Sequence, residues 1–424
     1  MRILVVGGGG REHALVWKLA QNATVDKIFA APGNAGIAGI AECLQVDAND
    51  GETMANLAED LGTDLVVIGP EAPLVAGLAD ALSVRGLPVF GPSAAAARIE
   101  GSKAWAAGIC ERAGAPTARS HAFTDPAAAV AFLETMDGPY VVKADGLAAG
   151  KGVTVTASRA EAESAIREAL VGHRFGDAGA TVVLMEFLEG PELSVFCLTD
   201  GETVLPLAEA QDFKRIGDGD TGPNTGGMGA YSPVPGVPDG TVARAVREIM
   251  EPVVARMTAE GARFRGLLYG GLIVTKDGPK VIEFNCRFGD PETQVVLPRL
   301  GTDLAELLLA CVEGNLSHYA PTWRSEACVS VVLASGGYPG AFETGKRIGG
   351  LPAAGAQEGV TVFHAATTFD GGDIVTAGGR VLAVSALGAD VAQARARAYD
   401  ATSAISFDGK YFRTDIALNA RAGK

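Results

Sequence analysis

The first 92 residues alternate short apolar segments with helical patterns, and this alternation restricts the possible folds more than any other feature of the chain. Each apolar segment ends in a turn rich in Gly or Pro. Such an order is typical of a parallel sheet with crossover helices, that is, of a small Rossmann-like domain. Ligands of open parallel sheets bind beyond the carboxyl ends of the strands, so the four turns are expected to line one crevice. The predicted strands span residues 3–6, 27–30, 65–68 and 88–90.

Two changes of pattern divide the rest of the 424-residue chain, whose length corresponds to a few domains. From about residue 140, strand pairs are separated by Gly-rich loops. From about residue 327, a third unit carries no cluster of titratable groups and is expected to close or support the others. The sequence therefore predicts a multidomain α/β and α+β protein. The expected domains are a Rossmann-like domain at 1–100, a central domain at 101–325 with a lid subdomain at about 115–190, and a small closing domain at 326–424.

Charge and cysteine content exclude several classes of protein. The chain has 50 Asp and Glu against 35 Lys and Arg, a net charge of −15, which argues against binding nucleic acid through overall charge. The six cysteines form no CxxC pair, and the five histidines share no metal-ligand spacing. Apolar runs are shorter than the roughly 18 residues that a membrane-spanning helix needs. With an N-terminus that opens on a strand and not on a leader, the sequence predicts a cytoplasmic protein without a membrane segment.

The glycine turn 7–10 after the first strand suggests a dinucleotide site, but the pattern is incomplete. G-x-G-x-x-G requires a third glycine where this chain has Glu12 or His13. No acid follows the second strand to hold a ribose hydroxyl, which disfavours a dehydrogenase. Backbone N–H groups at a helix N-terminus can bind phosphate, so a phosphate site and a structural turn both stay open here.

The segment 143–152 is a Gly-rich loop between two predicted strands, with a lysine at its start and Lys151 inside it. It is not a Walker A motif, because only three residues separate Gly146 from Gly150, and Gly152 stands where Ser or Thr is required. A hairpin with a purely structural role would rarely use this many glycines. We expect a lid that covers a triphosphate and excludes water.

Lys103 lies in the first turn of a helix that Ser102 can cap and Gly114 can end. A cation at this end opposes the helix dipole. An anion bound nearby would explain the lysine, and a solvated side chain is the alternative.

The segment 281–293 carries the most informative chemistry and follows an apolar hairpin strand. Glu283 and Asn285 are two residues apart on a strand, so their oxygens face one side and can bind one Mg²⁺. Arg287 continues this face if the strand persists, and would add a cation where phosphoryl charge develops. The alternative is a solvated ion-pair ladder, but the flanking apolar residues indicate that the opposite face is buried.

Two other segments suggest ligand contacts. Residues 186–188 end a strand in a turn whose backbone could contact a flat base, with Glu192 near a sugar. Residues 211–232 are expected to form a long polar loop, whose charges and free amides suit an anionic substrate.

Eight motifs in order resemble the phosphoribosylamine–glycine ligases, also called glycinamide ribonucleotide synthetases, of the ATP-grasp superfamily. The resemblance covers essentially the whole chain. The motifs are GGREHA (9–14), APGNAG (31–36), GPEAPL (69–74), GSK (101–103), KADGLAAGKGV (143–153), QDFKR (211–215), DTGPNTGGMGAYSP (220–233) and IEFNCRFGDPETQ (282–294).

The resemblance implies a central ATP-grasp domain and a ligase of purine biosynthesis. In that reaction ATP phosphorylates the carboxylate of glycine, the amine of 5-phosphoribosylamine attacks the acyl phosphate, and an amide, ADP and phosphate form. Catalysis would rest on positioning and charge neutralisation without a protein nucleophile. The expected cofactors are ATP and Mg²⁺ or Mn²⁺, and the expected state is a monomer that binds neither nucleic acid nor membrane.

The resemblance also assigns roles to residues of this chain. Glu283 and Asn285 match metal ligands; Arg287 and Lys103 match catalytic residues near the transferred phosphoryl group. The ATP contacts would be Lys103, Lys143, Gly146, Gly150, Lys151, Gly152, Glu186, Phe187, Leu188 and Glu192. The substrate contacts would be Gly9, Gly10, Arg11, Glu71, Asp212, Lys214, Asn224, Gly226, Gly227, Met228 and Arg287. The strand 267–274 carries no acid, so a third carboxylate ligand common in the superfamily is absent from it.

Two alternatives remain beside this interpretation. One is another ATP-grasp ligase, such as a carboxylase, which differs in the acid and amine that stimulate ADP release. The other is a nucleotide-binding sensor without catalysis, which the fold alone would permit.

Overall fold

The N-terminal region is a five-stranded parallel sheet, as the alternation of segments predicts. The computed structural model describes residues 1–148 and 152–420. The elements of this region are β1 (Arg2–Gly7), α1 (Gly10–Leu19), β2 (Lys27–Pro32), β3 (Glu42–Cys43), α2 (Gly51–Asp60), β4 (Leu65–Ile68), α3 (Glu71–Val75), α4 (Leu78–Val84), β5 (Val89–Phe90) and α5 (Ala94–Gly101). The strand order is β3-β2-β1-β4-β5, with parallel pairing throughout.

The turns that follow β1, β2 and β4 lie side by side at the carboxyl end of this sheet. The N–H of Gly33 donates to the carbonyl of Gly7 at 3.1 Å, and the N–H of Gly69 donates to the carbonyl of Val6 at 3.0 Å. The expected common crevice is confirmed for these three turns.

A sharp break at Ser102 separates α5 from the next helix, α6 (Lys103–Ala113). Ser102 has extended backbone angles, and its hydroxyl accepts from the N–H of Trp105 at 3.1 Å. Gly114 ends α6 with a φ of +67°, a conformation that glycine adopts at little cost. Both helix ends are where the sequence predicts them.

The central region contains two antiparallel sheets. Its first elements are β6 (Ser120–Phe123), α7 (Pro126–Leu133), β7 (Tyr140–Ala144), β8 (Val153–Thr156), α8 (Arg159–Leu170) and β9 (Val182–Glu186). They are followed by β10 (Glu192–Thr199), β11 (Val204–Pro206), β12 (Gln211–Asp212), β13 (Arg215–Gly217), β14 (Thr221–Asn224), β15 (Gly229–Ser232), α9 (Thr241–Ala245), a π-helical turn (Val246–Met250), α10 (Glu251–Ala259), β16 (Gly266–Thr275), β17 (Gly278–Asn285), α11 (Thr293–Val296) and α12 (Leu304–Glu313). One sheet has the order β6-β9-β7-β8, with a small core of its own against α7 and α8; the other has the order β11-β10-β16-β17.

The segment 211–232 is not one long loop, contrary to our expectation. It forms four short strands: β13 pairs with β14 as a hairpin, while β12 and β15 join the sheet of the third unit. The pattern alone could not reveal how β12 and β15 join this sheet, because β15 pairs with a strand about 100 residues further along the chain, as in the pairing of Tyr231 with Val329, and β12 pairs with β15.

The third unit adds β18 (Ala327–Ala334), α13 (Leu351–Gly355), β19 (Val360–His364), β20 (Thr367–Asp370), β21 (Asp373–Thr376), β22 (Arg380–Gly388) and α14 (Val391–Ala404). Its main sheet has the order β12-β15-β18-β22-β19, and α14 packs on β18 and β22. The sheet therefore contains strands from both sides of residue 325.

The described residues include no helix long and apolar enough to cross a membrane. All six cysteines are free thiols, and five of them are buried.

Candidate active site

A cleft of about 1280 Å³ runs between the three units. The N-terminal region contributes Arg11 and Glu71 to its lining, the central sheets contribute most of the rest, and the third unit contributes Tyr338 and Arg380. The third unit therefore does more than the expected closing or supporting role, because its Arg380 reaches the cleft and pairs with Asp290 there.

The acid and amide predicted to bind a metal both line this cleft from β17. Strand β17 contains a bulge, so Glu283 pairs with Gly271 while Val281 pairs with Leu272. A Cβ at Gly271 would lie only 2.9 Å from Cγ of Glu283, so glycine leaves the room that this carboxylate occupies. Between Glu283 and Asn285, the side chain of Phe284 is buried in the core.

The donors present suit a hard cation that keeps other ligands. The carboxylate and the amide offer oxygen, the atom that Mg²⁺ and Mn²⁺ prefer, and leave positions for water and phosphate. Within residues 1–148 and 152–420, no group of three or more His, Cys, Asp or Glu side chains could hold a metal by itself. The site therefore fits a metal held jointly with a ligand.

Three lysines surround Glu283, and we call these four residues the lysine cluster: Lys103, Lys143, Lys214 and Glu283. Nζ of Lys214 lies 3.0 Å from Oε1 of Glu283. The field of Lys214, helped by Lys143, lowers the pKa of Glu283 to about 2 in spite of burial. Lys214 is ion-paired with Glu283 and with Glu192, whereas neither Lys103 nor Lys143 forms an ion pair with the described residues, so the cluster suits an additional anionic ligand.

Burial dominates the pKa of two of these lysines. Desolvation lowers the pKa of Lys143 to about 8, and its Nζ donates to the carbonyl of Ile282 at 2.7 Å. Desolvation also lowers the pKa of Lys103, whose Nζ donates to the carbonyl of Gly146 at 3.0 Å. Lys214 differs, because Glu192 and Glu283 outweigh burial and raise its pKa. The resemblance assigns Lys214 to a substrate, but its Nζ lies beside Glu283, the predicted metal ligand.

The Gly-rich loop is anchored to the start of α6 through Asp145. The Asp145 carboxylate accepts from the N–H of Ala104 at 2.7 Å and from the hydroxyl of Ser102 at 3.0 Å. A Cβ on Gly146 would lie 2.5 Å from the Cβ of Ala178, so only glycine fits this approach. The carbonyl of Gly152 accepts from the N–H of Ala144 at 2.8 Å. The predicted contacts of Gly150 and Lys151 lie outside the described residues.

The segment expected to contact a base lines the opposite wall of the cleft. Glu186, Phe187 and Leu188 follow the end of β9, and the ring of Phe187 is partly exposed. The carboxylate of Glu186 accepts from the backbone and side chain of Arg119, which leaves backbone groups and the ring for a ligand. Glu192 begins β10, and its carboxylate lies 3.3 Å from Nζ of Lys214.

Arg287 is part of a second group of charges, the arginine cluster, which consists of Arg11, Glu12, Glu71, Glu100 and Arg287. Strand β17 ends at Asn285, so the expectation that Arg287 continues the face of Glu283 is wrong. Its Nε lies 3.0 Å from Oε2 of Glu71, and its Nη2 lies 2.7 Å from Oε1 of Glu100. The guanidinium lines the cleft, but its Nε and Nη2 are already engaged in ion pairs with these two acids.

The acids of this cluster differ in their surroundings. Burial raises the pKa of Glu71, but Arg287 and Arg11 outweigh burial and lower it to about 2. Burial raises the pKa of Glu100 more than Arg287 lowers it. Nε of Arg11 pairs with Glu12, and Nη1 of Arg11 donates to the carbonyl of Phe288 at 3.2 Å.

The glycine turn before α1 is less open to an anion than the sequence suggests. The N–H of Gly9 donates to Oε2 of Glu12 at 2.6 Å, so a carboxylate of the protein occupies this donor. A Cβ on Gly10 would lie 2.7 Å from Nε2 of Gln294, so close packing explains that glycine. Neither Gly9 nor Gly10 lines the cleft, whereas Arg11, which follows them, does.

Asp212 and Glu292, which we call the acidic pair, both line the cleft, and the charge of Glu292 acts on Asp212. Burial, reinforced for Asp212 by neighbouring carboxylates, raises the pKa of both side chains. The hydroxyl of Ser194 donates to Oε1 of Glu292 at 3.3 Å and lies 3.0 Å from the hydroxyl of Tyr269. Two carboxyl groups of this kind suit a small cation.

The loop 224–229 meets the third unit at Arg380. Asn224 and Gly226 line the cleft. The N–H of Gly226 donates to the hydroxyl of Tyr338 at 3.0 Å, and its carbonyl accepts from Nη1 of Arg380. Arg380 also pairs with Asp290 at 3.2 Å, so one guanidinium joins two segments of the cleft wall.

Two residues of this loop have structural explanations. Gly227 has a φ of +106°, and a Cβ there would lie 2.4 Å from Cδ of Pro291. Met228 is fully buried in the core, and its N–H donates to the carbonyl of Phe213 at 2.7 Å. The expectation that the side chain of Met228 contacts a substrate is wrong, because core packing removes it from the cleft.

Arg413 anchors the hairpin β13–β14 from the third unit. This fully buried guanidinium lies 2.7 Å from Asp220 and 2.7 Å from Asp415, and it covers the ring of Phe213 at 4.9 Å. Its Nη1 also donates to the carbonyl of Arg215 at 3.0 Å. The contact fixes the segment that carries Asp212 and Lys214.

Sequence reasoning missed Glu100, Glu292, Arg380 and Arg413. Glu292 lies inside the motif 282–294, whose acids could have been considered one by one. The other three residues give no local signal, since their partners are about 90 to 200 residues distant, as in the bonds of Arg380 to Asp290 and Arg413 to Arg215.

Comparison with protein families matches most of the chain. The N domain of the family described as phosphoribosylglycinamide synthetase matches residues 1–100, its ATP-grasp (A) domain matches residues 101–293, and its C domain matches residues 328–419.

Similar proteins carry one name. The phosphoribosylamine–glycine ligase of Streptomyces coelicolor is 54% identical over 427 residues, with 99% of each chain covered. That of Rhizobium meliloti is 50% identical over 422 residues, covering 100% of this chain and 99% of the relative.

Solved structures agree in fold. The crystal structure of phosphoribosylamine–glycine ligase from Thermotoga maritima has a TM-score of 0.87 at 33% identity and covers 98% of this chain and 100% of that chain. A biotin carboxylase domain from Hydrogenobacter thermophilus has a TM-score of 0.74 at 17% identity, with 97% and 91% covered, a similarity of fold alone.

Proposed function

This chain belongs to the phosphoribosylglycinamide synthetase family, and we infer from this membership that it joins glycine to 5-phosphoribosylamine in purine biosynthesis. It is a ligase that forms a carbon–nitrogen bond and uses ATP. The observation that supports this reaction best is the lysine cluster, where three cations surround one carboxylate inside a cleft.

We propose that the lysine cluster binds the phosphates of ATP. A carboxylate oxygen of glycine attacks the γ-phosphorus, the bond from that phosphorus to the oxygen of ADP breaks, and glycyl phosphate forms. Lys103, Lys143 and Lys214 neutralise the charge on the transferred group, which is how phosphoryl transfer is catalysed without a protein nucleophile. The base of ATP would lie against Phe187 and the backbone of 186–188, with Glu192 toward the ribose. The proposed lid 143–152 would close over the phosphates.

Glu283 and Asn285 would hold the divalent metal of this site through oxygen. When bound, Mg²⁺ or Mn²⁺ supplies positive charge to the phosphate oxygens of ATP. The excess of lysines over acids beside Glu283 fits a site that a nucleotide must complete.

The acidic pair is the proposed place for the ammonium group of glycine. Asp212 and Glu292 lie in the cleft beside Lys214, so glycine bound there would extend its carboxylate toward the lysine cluster. A bound ammonium group would favour the ionised forms of both carboxyl groups and would therefore lower their raised pKa values.

The amine of 5-phosphoribosylamine then attacks the carbonyl carbon of glycyl phosphate. The new C–N bond forms, the C–O bond to phosphate breaks, and the nitrogen loses a proton, so that glycinamide ribonucleotide and phosphate are released. We propose that this substrate lies between Arg11, Glu71 and Arg287 on one side and Asn224 and Gly226 on the other. Gly9, Gly10 and Gly227 would act through the backbone that they shape.

Several broader expectations belong to the same proposal. The domains 1–100, 101–325 and 326–424 are supported by the family ranges, although the third sheet shares strands with the second domain. Its six free thiols support the proposal of a cytoplasmic enzyme, whereas a monomer that binds neither nucleic acid nor membrane stays a prediction.

Mg²⁺-dependent ADP release tests the function directly. The assay contains ATP, glycine and phosphoribosylamine generated in place, and each component is omitted in turn. ADP and glycinamide ribonucleotide, identified by mass spectrometry, should appear only in the complete mixture. ADP release driven by bicarbonate or another acid in place of glycine, or ATP binding without any turnover, would contradict the proposal.

A further inference from the structure

Glu100 is a buried carboxylate at the end of α5 that accepts from three consecutive residues of the cleft wall. Its exposed fraction is 8%. It accepts from the N–H of Cys286 at 2.8 Å and from Nη2 of Arg287 at 2.7 Å. When the amide of Asn285 is oriented to satisfy its neighbours, Glu100 also accepts from Nδ2 of Asn285 at 3.0 Å. Both of its oxygens are used, so the carboxylate cannot rotate without breaking a hydrogen bond.

The contact with Asn285 fixes which amide atom is free. In this orientation Nδ2 also donates to the carbonyl of Phe284 at 3.2 Å. Rotating the amide by 180° would place Oδ1 against these two acceptors, which is unfavourable because neither has a proton to donate. The amide oxygen is therefore the atom left for a ligand in the cleft, which Asn285 lines.

We propose that Glu100 is a positioning residue, which holds the amide of Asn285 with its oxygen available to the metal. This inference rests on the proposed function, in which Glu283 and Asn285 bind the cation. A hard cation binds the amide oxygen and not the NH₂ group, so the orientation decides whether Asn285 is a ligand at all. Hydrogen-bond partners of metal ligands commonly control affinity in this way.

A carboxylate is required because it accepts at both oxygens. In Glu100→Gln, the side chain keeps its size but offers one oxygen and one NH₂ group. If the NH₂ group faces Asn285, the amide rotates and directs its own NH₂ group at the metal. If it faces Cys286, two N–H donors oppose each other, and the wall that carries Asn285 shifts.

Binding of Mn²⁺ in the presence of ADP, followed by electron paramagnetic resonance, tests this role without turnover. Glu100→Gln should raise the Kd of Mn²⁺ at least about 10-fold, the lower end of the range for such partners. Glu71→Gln is the matched control: it removes the other acid of Arg287 but does not touch Asn285, so its Kd for Mn²⁺ should stay within about twofold of the wild type. An unchanged Kd in folded Glu100→Gln, or equal losses in both variants, would overturn the inference.

A second background separates positioning from a general loss of structure. The carboxylate introduced by Asn285→Asp has oxygens on both sides and is repelled by Glu100, whereas the amide introduced by Glu100→Gln could donate to it. In that background Glu100→Gln should leave the Mn²⁺ affinity unchanged or improve it, and additive losses would contradict positioning. Glu283→Gln keeps the two proposals distinct: if Mn²⁺ binding survives that change, the metal site of the proposed function is wrong, independently of Glu100.

Discussion

Residues of both the lysine cluster and the arginine cluster line one cleft, yet the charges of the two clusters are balanced in different ways. The arginine cluster pairs two guanidinium groups with three carboxylates, and the two acids that flank Arg287 lie within 3.0 Å of it. In the lysine cluster, Lys214 is ion-paired, but Lys103 and Lys143 form no ion pair with the described residues, and burial lowers the pKa of both. A region whose charges are compensated internally holds its shape alone, whereas a region with excess charge is complete only when an anion binds.

The largest effect should follow from removing the single acid of the lysine cluster. Glu283→Ala should reduce ADP release at least about 10³-fold, because it deletes a proposed metal ligand and removes the carboxylate that lies among the three lysines. The protein should stay folded, as monitored by circular dichroism. Glu192→Gln is the comparison: it also weakens an ion pair with Lys214, but should cost no more than about 10-fold. Retained turnover in Glu283→Ala would refute the metal assignment.

The next largest effect should be on the free energy of unfolding, which substitutions in the two clusters should change by different amounts. Arg287→Met leaves Glu100 without its ion pair and Glu71 with Arg11 alone, at 3.7 Å, and should lower the free energy of unfolding by about 3–5 kcal/mol. Lys143→Met removes a desolvated cation and one hydrogen bond, and should change it by less than about 1.5 kcal/mol. Urea unfolding of both variants provides the measurement. Equal losses would mean that the lysine cluster is as self-sufficient as the arginine cluster, and the distinction drawn above would fail.

The smallest effect concerns pH. The pKa of Lys143 is about 8, so the lysine is mostly charged below pH 8 and loses its proton above it. ATP binds the charged form, so the Kd for ATP should rise by up to about 10-fold for each pH unit above 8. Calorimetry in two buffers of different ionisation enthalpy should show proton uptake on binding near pH 8.5. Lys143→Met should abolish this uptake, and a wild type without uptake would contradict it.

The sequence predicted the elements whose ends depend on neighbours in the chain. α6 begins after Ser102 and ends at Gly114 as predicted, because capping involves residues a few positions apart. Strands β16 and β17 form the expected hairpin because their pairing is local. The parallel sheet followed from its alternation. The short strands β12 and β15 were missed, since β15 pairs with β18, which is remote in sequence, and β12 joins the sheet only through β15.

The site shows the same limit at the level of side chains. Glu283 and Asn285 reach the cleft as the spacing indicates, although their roles stay predictions. Arg287 does not follow them, because the strand ends at Asn285 and acids from α3 and α5 hold the guanidinium. Met228 was misread as a ligand contact because a glycine-rich motif does not reveal which of its members points into the core. Packing, and not pattern, decides such positions.

The contact of Arg413 with the β13–β14 hairpin also bears on how the enzyme is made. Its hydrogen bond to the carbonyl of Arg215 spans 198 residues. During synthesis, the hairpin beside Asp212 and Lys214 has to wait for residue 413 to leave the ribosome before it can be fixed. An incomplete chain could therefore form much of the lysine cluster while the segment of Asp212 and Lys214 is not yet held in place. The ability to consume ATP would then be acquired late, at the same time as the ability to protect glycyl phosphate from water.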